Sequence, residues 1–267
     1  MRIRDSLVLI TGASSGIGAA TALEVARRGG RVVLLARSRG GLEAVAEKVR
    51  AAGSTAQVYP VDLADPEAVE ATARRIEEEV GVPDVLVNNA GAGRWLYPEE
   101  TEPGQVVAMT AVPYFAAFWL TRAFLPAMRR RGSGHIVNMT SAAAYVSMRG
   151  ATAYTAARWA VRGFTAALRS DLAGSGIGVT LIAPGKVATP YFEHNPGSEE
   201  RIPAVTRLYP TLTVEQVARS VVRAVERRRR EVVEPFLLRL TLVLHRIVPW
   251  PVDWLLVRTG WRRPPAC

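Results

Sequence analysis

A tyrosine and an arginine stand four residues apart in the segment AYTAARWAVRGF, residues 153–164. The segment is rich in alanine and favours a helix, which would place Tyr154 and Arg158 one turn apart on the same face. The pair would hold an ionisable phenol beside a guanidinium that stays protonated. On spacing alone, an incidental pair on a surface helix is the simpler interpretation, so the other motifs must decide.

A glycine-rich turn, TGASSGIG, follows the apolar run SLVLI and precedes a helical pattern. In this context Gly12 permits a tight turn, Gly16 lets the backbone approach a pyrophosphate, and Gly18 allows close packing of the helix on the strand. The free amides at the helix N-terminus favour an anion. The turn therefore predicts phosphate binding, with a purely structural turn as the alternative, and its candidate contacts are Gly12, Ser14, Ser15, Gly16, Ile17 and Gly18.

The end of the second predicted strand indicates which dinucleotide binds. An acidic residue there would hydrogen-bond the free ribose 2′-hydroxyl of NAD, but the sequence reads Ala36-Arg37-Ser38-Arg39. Arg37 supplies a planar fork suited to a 2′-phosphate. Arg39 could assist in binding the 2′-phosphate, or it could equally be a solvated charge at the start of a helix. The sequence therefore predicts NADP(H) over NAD(H).

Two further strand ends carry polar side chains. Asp62-Leu63 closes the third predicted strand, where a carboxylate could accept a hydrogen bond from an adenine amino group. The segment NNAG, residues 88–91, closes the fourth strand. Its amides can brace neighbouring strands and its small residues leave room for a cofactor, so the candidate cofactor contacts here are Asp62, Leu63, Asn89, Ala90 and Gly91.

The motifs fall at the ends of short apolar runs that alternate with longer helical patterns. The seven runs lie within residues 6–10, 31–36, 54–62, 83–91, 134–141, 176–185 and 230–235. Strands that are apolar throughout belong in a parallel sheet covered by helices on both faces. Repeated βα units then predict a doubly wound, Rossmann-type α/β domain over residues 1–235, followed by an amphipathic tail, 236–267, that is not a separate domain.

Composition narrows the remaining function classes. The 267 residues are enough to bury a full core. The formal net charge is +10, but 32 of the 34 basic residues are arginines spread along the chain, so no nucleic-acid partner is expected. The single cysteine, Cys267, and three isolated histidines have no metal-ligand spacing. A reducing cytoplasm is the expected location.

Together, TGASSGIG, NNAG, Ser141, a tyrosine thirteen residues later and Pro184-Gly185 resemble the short-chain dehydrogenase/reductase family over roughly residues 5–235. The resemblance implies a nicotinamide cofactor and hydride transfer to or from an alcohol or carbonyl carbon. It implies that Tyr154 exchanges a proton with the substrate oxygen and that Ser141 hydrogen-bonds this oxygen. It also implies a homo-oligomer through helices around 105–131 and 152–173, and nicotinamide contacts at Pro184, Gly185, Val187 and Thr189.

Two positions depart from the family pattern: Arg158 replaces a lysine, and Pro113 replaces an asparagine. A cation about 5 Å away stabilises a phenolate by roughly 3 kcal/mol at an effective dielectric constant near 20. Arg158 keeps this charge and can reach ribose hydroxyls, but it does not release a proton. The catalytic candidates are therefore Ser141, Tyr154 and Arg158. Tyr154 and Arg158 are also candidate cofactor contacts. Pro113 also breaks a helix, so the family's irregularity is expected to persist without the amide and with slower proton delivery.

The substrate end is less defined by the sequence. Tyr191 and Phe192, with Tyr145 and Met148 after the serine, indicate an apolar pocket, although each could equally be ordinary core. Ser141, Tyr145 and Tyr191 are the candidate substrate contacts, and an apolar or lipid-like alcohol or ketone is favoured.

The tail segment 235–263 is apolar, with Arg239 and Arg246 close to one helical stripe. Prolines 249 and 251 break it, so no span reaches the roughly 18–20 residues that cross a bilayer. Tryptophans 250, 254 and 261 favour a membrane interface. A peripheral membrane element and a segment docked on a partner subunit or on the substrate opening are equally open interpretations.

Three functions follow from these observations. The leading one is an NADP(H)-dependent alcohol or carbonyl oxidoreductase. The alternatives are a catalytically impaired NADP(H)-binding sensor and a membrane-associated interaction protein.

Overall fold

The computed structural model describes residues 1–91, 93–193 and 195–262, so His194 and Cys267 lie outside the described residues. Within these ranges all strands pair in parallel in the order β3-β2-β1-β4-β5-β6-β7. The predicted doubly wound sheet is confirmed, and the strand order reverses between β1 and β4. The strands are β1 Leu7–Thr11, β2 Arg31–Ala36, β3 Ala56–Pro60, β4 Val85–Asn88, β5 Gly134–Met139, β6 Ile177–Pro184 and β7 Glu231–Glu234.

Helices connect these strands and extend beyond the last one. Those in the described residues are α1 Gly16–Arg27, α2 Arg39–Ala51, α3 Pro66–Glu79, α4 Pro103–Thr110, α5 Ala116–Arg131, α6 Thr152–Asp171, α7 Val214–Glu226, α8 Phe236–Ile247 and α9 Pro249–Thr259. Shorter 3₁₀ turns cover Pro98–Glu100, Ala142–Ala144 and Ala204–Leu208.

Both faces of the sheet are buried, which explains why its strands are apolar throughout. Alternate residues of a strand point to opposite faces. Leu7 and Leu9 of β1 therefore pack in the core formed with α3 and α5, whereas Val8 and Ile10 pack in the core formed with α1, α2 and α7.

A buried chain of polar side chains fixes α6 against the centre of the sheet. Asn88 Nδ2 donates to Asn138 Oδ1 at 2.8 Å, across β4 and β5. Asn138 Nδ2 donates to Thr165 Oγ1 at 2.9 Å, and this hydroxyl donates to the carbonyl of Val161 at 2.7 Å. Because α6 carries Tyr154 and Arg158, this chain positions the helix that the sequence marked for chemistry.

The helices between β4 and β5 form one long apolar stretch. In the described part of the chain, Pro103–Arg131 is the stretch with the length and composition to cross a membrane. Leu120, Phe124 and Met128 on it are buried against the sheet. These residues therefore act as core contacts of the fold.

The tail is two helices that pack on the rest of the structure. Leu238 and Leu242 of α8 and Leu256 of α9 are buried, and they cluster with Val146 and Val161. The two helices are linked by His245 Nε2 and Asp253 Oδ1, 2.9 Å apart.

His135 lies in β5 with its ring fully enclosed. Thr180 donates its hydroxyl proton to the carbonyl of Arg229, so His135 Nε2 must donate to Thr180 Oγ1 at 2.8 Å. Among the described residues, Nδ1 has no hydrogen-bond partner. Burial, assisted by the positive charge of Arg228, lowers the pKa of His135 to about 4.

We expect the free energy of unfolding to fall as the pH drops from about 6.5 to about 4, because the unfolded chain binds a proton at His135 in this range and the folded chain does not. The His135 contribution amounts to as much as about 3 kcal/mol at the low end. Urea unfolding of the wild type and of His135→Gln, followed across this range, measures it. A stability difference between the two proteins that stays constant with pH would contradict the assignment.

Candidate active site

The glycine-rich turn between β1 and α1 packs directly on the end of β4. Gly12 and Gly16 have φ angles of 63° and 55°, in the left-handed region that favours glycine. A Cβ on Gly12 would lie 2.9 Å from the Cα of Ala90. A Cβ on Gly18 would overlap the Gly12 carbonyl oxygen and lie 2.7 Å from Asn89 Nδ2. The close contact of turn, helix and strand therefore depends on glycine.

The N-terminus of α1 is open to a ligand. Ser15 occupies the N-cap position, but its side chain makes no capping hydrogen bond. In α3, by contrast, the Asp65 carboxylate accepts from two first-turn amides at 2.9 and 3.1 Å. The amides that begin α1 at Gly16 and Ile17 can therefore bind an anion, with Ser14 and Ser15 partly or fully exposed beside them.

Arg37 is exposed immediately after β2, at the same edge of the sheet. The carbonyl of Leu35 accepts from the amide of Ala13 at 3.2 Å, which ties the end of β2 to the glycine-rich turn. Arg39, also exposed, begins α2. Two guanidinium groups thus stand beside the predicted phosphate-binding turn.

Asp62 and Leu63 have different environments at the end of β3. The amide of Val61 donates to the carbonyl of Ala36 at 3.0 Å, which brings this segment next to Arg37. Asp62 is exposed and its Oδ1 accepts from the amide of Ala64 at 3.0 Å, whereas Leu63 belongs to the core. The adenine contact of Asp62 stays a prediction.

Thr11 joins the glycine-rich turn to the NNAG segment. Its Oγ1 accepts from the amides of Asn89 and Ala90, both at 2.9 Å. The Asn89 side chain returns a hydrogen bond to the carbonyl of Thr11 at 2.9 Å. The predicted bracing of neighbouring strands by these amide side chains is confirmed, for Asn89 here and for Asn88 within the sheet.

Ser141, Tyr154 and Arg158 line one cavity of about 230 Å³, together with Asn89 and Gly91. Ser141 follows β5, and its Oγ accepts from the amide of Ala143 at 3.3 Å. Thr140 Oγ1 donates to the carbonyl of Arg158 at 3.0 Å, which fixes α6 to the end of β5. The three predicted catalytic residues are therefore brought together.

Tyr154 and Arg158 are in contact and both are buried. The guanidinium carbon lies 4.7 Å from the centre of the Tyr154 ring, within the range of a cation–π interaction. A Cβ on Gly91 would lie 2.9 Å from Arg158 Nη2, so the guanidinium packs on the glycine of NNAG. The pair is thus a built feature of the site and not an incidental surface pair.

The ring of Tyr154 is enclosed by aromatic and glycine residues. Trp95 lies with its ring centre 5.7 Å away, and Tyr191 lies 6.4 Å away. A Cβ on Gly93 would lie 2.7 Å from Tyr154 Cδ2. These contacts leave the ring little freedom to move.

The segment after β6 connects the cavity to the glycine-rich turn. Gly185 donates its amide to the carbonyl of Glu234 at 2.7 Å, and Val187 pairs with Leu212. A Cβ on Gly16 would lie 3.5 Å from Thr189 Cγ2. Pro184, Gly185, Val187 and Thr189 all line the cavity, so they share it with Tyr154. Their contact with nicotinamide stays a prediction.

A family model described as short chain dehydrogenase matches residues 6–199, which include all of these segments. The chain belongs to the short-chain dehydrogenase family.

Relatives and solved structures agree with this membership. Mouse estradiol 17-beta-dehydrogenase 11 is 34% identical over 250 residues, which are 92% of this chain and 81% of the mouse protein. A short-chain dehydrogenase from Sphingobium yanoikuyae in complex with NADPH superimposes with a TM-score of 0.79 at 26% identity, covering 98% of each chain. A metagenomic short-chain oxidoreductase in complex with NADP gives 0.72 at 32% identity, covering 86% of this chain and 96% of its own.

Pro113 coincides with a break in the helix. Pro113 is buried within a π-helical turn, Ala111–Phe115, that separates α4 from α5. A proline lacks the amide hydrogen that a regular α-helix uses at this point, and π turns absorb such interruptions. The predicted irregularity is therefore confirmed, with a proline ring in place of an amide side chain.

The two tyrosines predicted at the substrate end have different positions. Tyr191 lines the cavity and donates its hydroxyl to the carbonyl of Gly93. Burial, with the neighbouring Tyr154, raises the pKa of Tyr191 far above its ordinary value, so it keeps its proton.

Tyr145 was expected to contact the substrate, but the structure directs it elsewhere. It lies outside the cavity lining, and its hydroxyl donates to Glu231 of β7. Arg162 covers its ring at 4.2 Å, and burial raises the pKa of Tyr145 well above the usual range. These contacts with β7 and α6 hold Tyr145, the residue after the 3₁₀ turn Ala142–Ala144, away from the cavity.

Several cavity residues carried no motif in the sequence. Trp95 follows the NNAG segment, and the tail contributes aliphatic side chains from its inner side. The residues that the motifs did not identify are Trp95, Val146, Ile202, Thr206, Tyr209, Leu238, Thr241, Leu242, Val252 and Leu256. In the tail, the helical spacing of the aliphatic residues was the sequence signal that could have indicated a buried face.

We expect Gly18→Ala to lower the free energy of unfolding by about 1–3 kcal/mol, because the added methyl group meets backbone and not a flexible side chain. Gly40→Ala in α2, where a Cβ would meet nothing within 4 Å, is the matched control and is expected to be neutral or slightly stabilising. Urea unfolding of both variants measures the effect. Equal stability of the two variants would contradict the packing described here.

Proposed function

We propose that this protein is an NADP(H)-dependent oxidoreductase that transfers hydride between nicotinamide and an alcohol or carbonyl carbon of an apolar, lipid-like substrate. The observation that carries the proposal is the shared cavity, in which Ser141, Tyr154 and Arg158 face the segments expected to hold a dinucleotide. Membership of a family of oxidoreductases supports the same reaction class.

The residues present fit a dinucleotide phosphate. The left-handed glycines and the uncapped amides of α1 suit a pyrophosphate, and Arg37 beside them suits a 2′-phosphate. Asn89, Ala90, Gly91 and the segment 184–189 would hold the nicotinamide end. A bound NADP(H) supplies or accepts the hydride. The NADPH and NADP in the two similar solved structures support this cofactor.

Tyr154 holds the proton that the reaction needs. Its hydroxyl gives a proton to a carbonyl oxygen or takes one from an alcohol, while Ser141 hydrogen-bonds the same oxygen. The Arg158 guanidinium lies on the face of the Tyr154 ring, so a positive charge stays beside the phenol. Because guanidinium does not release its proton, Arg158 acts as a fixed charge, and Tyr154 is reprotonated by a route that does not pass through it.

The cavity walls favour an apolar substrate. Val146 and Met148 lie on one side, and Leu238, Leu242 and Leu256 of the tail close another. The mouse relative is named for estradiol, an apolar alcohol. Tyr209 and Thr241, hydrogen-bonded to each other at 3.0 Å, offer polar groups that could orient an oxygen at the far end.

Tyr154→Phe is expected to reduce kcat by at least about 100-fold, the lower range for loss of a general acid or base. Because only one hydroxyl is lost from a tightly packed ring, NADPH affinity should stay the same. Turnover of a panel of apolar ketones with NADPH, and cofactor affinity by fluorescence, measure the two effects. Tyr145→Phe removes a hydroxyl that lies outside the cavity lining and serves as the control with small effect on turnover. Comparable losses in both variants would contradict the role of Tyr154.

Arg37→Gln is expected to weaken NADPH binding by about 10- to 100-fold, which corresponds to the roughly 1.5–3 kcal/mol of hydrogen bonds to a charged group. NADH carries no 2′-phosphate, so its dissociation constant should not change. Arg39→Gln, measured beside it, shows whether the second arginine shares the contact. An equal loss of affinity for both cofactors would contradict a 2′-phosphate site at Arg37.

A catalytically impaired NADP(H) sensor is the second candidate. It is favoured by the proline ring at position 113 and by the stacking of Arg158 on the phenol ring. The sensor would bind NADPH without turnover on any substrate, and Pro113→Asn with Arg158→Lys would then restore activity.

We also propose a homo-oligomer that associates through α4, α5 and α6 and resides in the cytoplasm. Support comes from large apolar side chains that these helices expose, including Val107, Phe118 and Trp159. Such a face is typical of contact between subunits.

A further inference from the structure

The helices α8 and α9 have two faces with different surroundings. On the inner face, Leu238, Leu242 and Leu256 are buried and line the cavity. Both helices contribute to the wall of the same cavity. The face of each helix that is opposite the cavity therefore points away from it.

The outer face is apolar and exposed. In α8 the exposed residues recur with helical spacing, and in α9 they include two tryptophans. Phe236 is 76% exposed, Ile247 74% and Trp250 70%. The whole set, here termed the outer apolar face, is Phe236, Leu237, Leu240, Val243, Leu244, Ile247, Val248, Trp250, Trp254, Leu255 and Val257. Eleven large exposed apolar side chains on two consecutive helices are far more than the scattered apolar residues of an ordinary surface.

Positive charge surrounds this face. Residues 236–262 contain four arginines and one aspartate. Arg239, Arg246, Arg258 and Arg262 are all exposed. Arg246 also lies 3.5 Å from Glu231 of β7, and the guanidinium of Arg258 lies 5.4 Å from the centre of the Trp254 ring. The aspartate, Asp253, is hydrogen-bonded to His245. Apolar residues, exposed tryptophans and flanking arginines match the chemistry of an anionic bilayer surface.

We propose that the outer apolar face binds the surface of an anionic phospholipid bilayer and holds the α8–α9 wall of the cavity against the lipid. Aliphatic side chains enter the acyl boundary, and the arginines pair with lipid phosphates. The consequence for catalysis rests on the proposed function: an apolar substrate reaches the cavity from the bilayer past α8 and α9 without crossing water.

A second copy of the chain fits this face less well. Pairing two copies through it would bring the arginines of both tails together, and like charges in contact oppose association. The exposed apolar residues of α4, α5 and α6 provide a separate face for a subunit.

The test is co-sedimentation of the full chain with phosphatidylcholine vesicles, with and without phosphatidylglycerol. The wild type is expected to bind the anionic vesicles and to dissociate at high salt. Leu240→Ser with Ile247→Ser, and separately Arg239→Gln with Arg258→Gln, should weaken this binding about tenfold or more. Two control variants remove apolar or positively charged side chains elsewhere on the surface and should bind like the wild type. The apolar control is Val107→Ser with Phe118→Ser, and the charge control is Lys48→Gln with Arg74→Gln.

Three results would overturn the proposal: no sedimentation of the wild type with either vesicle, equal binding to both vesicles, or loss of self-association in Leu240→Ser with Ile247→Ser.

The variant Tyr154→Phe distinguishes failure of membrane binding from failure of the proposed reaction. This variant should bind vesicles normally while its turnover fails. The variant Leu240→Ser with Ile247→Ser should lose turnover of a long-chain ketone dissolved in vesicles. The same variant should keep its turnover of a small water-soluble ketone. Equal turnover losses on both ketones would exclude delivery from the bilayer.

Discussion

The hydroxyl of Thr11 holds the two halves of the site together. It lies at the end of β1, beside the point where the strand order reverses, and it accepts hydrogen bonds from two successive amides at the end of β4. A parallel sheet leaves the ends of its central strands with unpaired backbone groups, and a reversal of strand order opens a crevice there. Thr11 and Asn89 satisfy those groups across the crevice. The glycine-rich turn, the NNAG segment and the cavity are all arranged around this junction.

An arginine at position 158, where the family pattern led us to expect a lysine, separates two properties that lysine combines. A positive charge near the phenol is retained, because the guanidinium is always protonated and packs on the ring. The capacity to pass on a proton is lost. Arg158 is also broad and planar, and the contact with Gly91 shows how the site accommodates it: the residue beside its head has no side chain. The position of the guanidinium in the site therefore depends on a glycine at position 91.

The sequence predicted the sheet well, because its signals are local. The run RVVLLA is apolar on both faces and coincides with β2, and the left-handed φ angles of Gly12 and Gly16 belong to a local turn that glycine favours. Tyr154 and Arg158 were placed correctly because helical spacing alone makes them neighbours. Pro113 predicted a break in its helix, although not the π turn that forms there.

Contacts made over long sequence distances were not predictable. Tyr145 has the composition of a pocket residue, but a glutamate more than eighty residues later attracts its hydroxyl. Trp95 follows a loop with no periodic pattern, and its place against Tyr154 depends on tertiary packing. The tail was predicted to be amphipathic, and in the structure its helices carry apolar side chains on an inner face and on an outer face. Which of its faces would meet the cavity follows only from how the helices pack.

The π turn also sets the orientation of α4. A π turn holds one residue more than the α-helical turn it replaces, so everything before it is rotated by about 100° relative to a continuous helix. This offset turns Met109 inward, where its sulfur accepts from the amide of Arg94 at 3.3 Å, and leaves Val106 and Val107 in solvent. Deleting a single residue between 111 and 115 would remove this offset and carry Met109 away from the amide of Arg94. The phase of one helix, and not only the identity of its side chains, therefore supports the loop whose Gly93 packs on the ring of Tyr154.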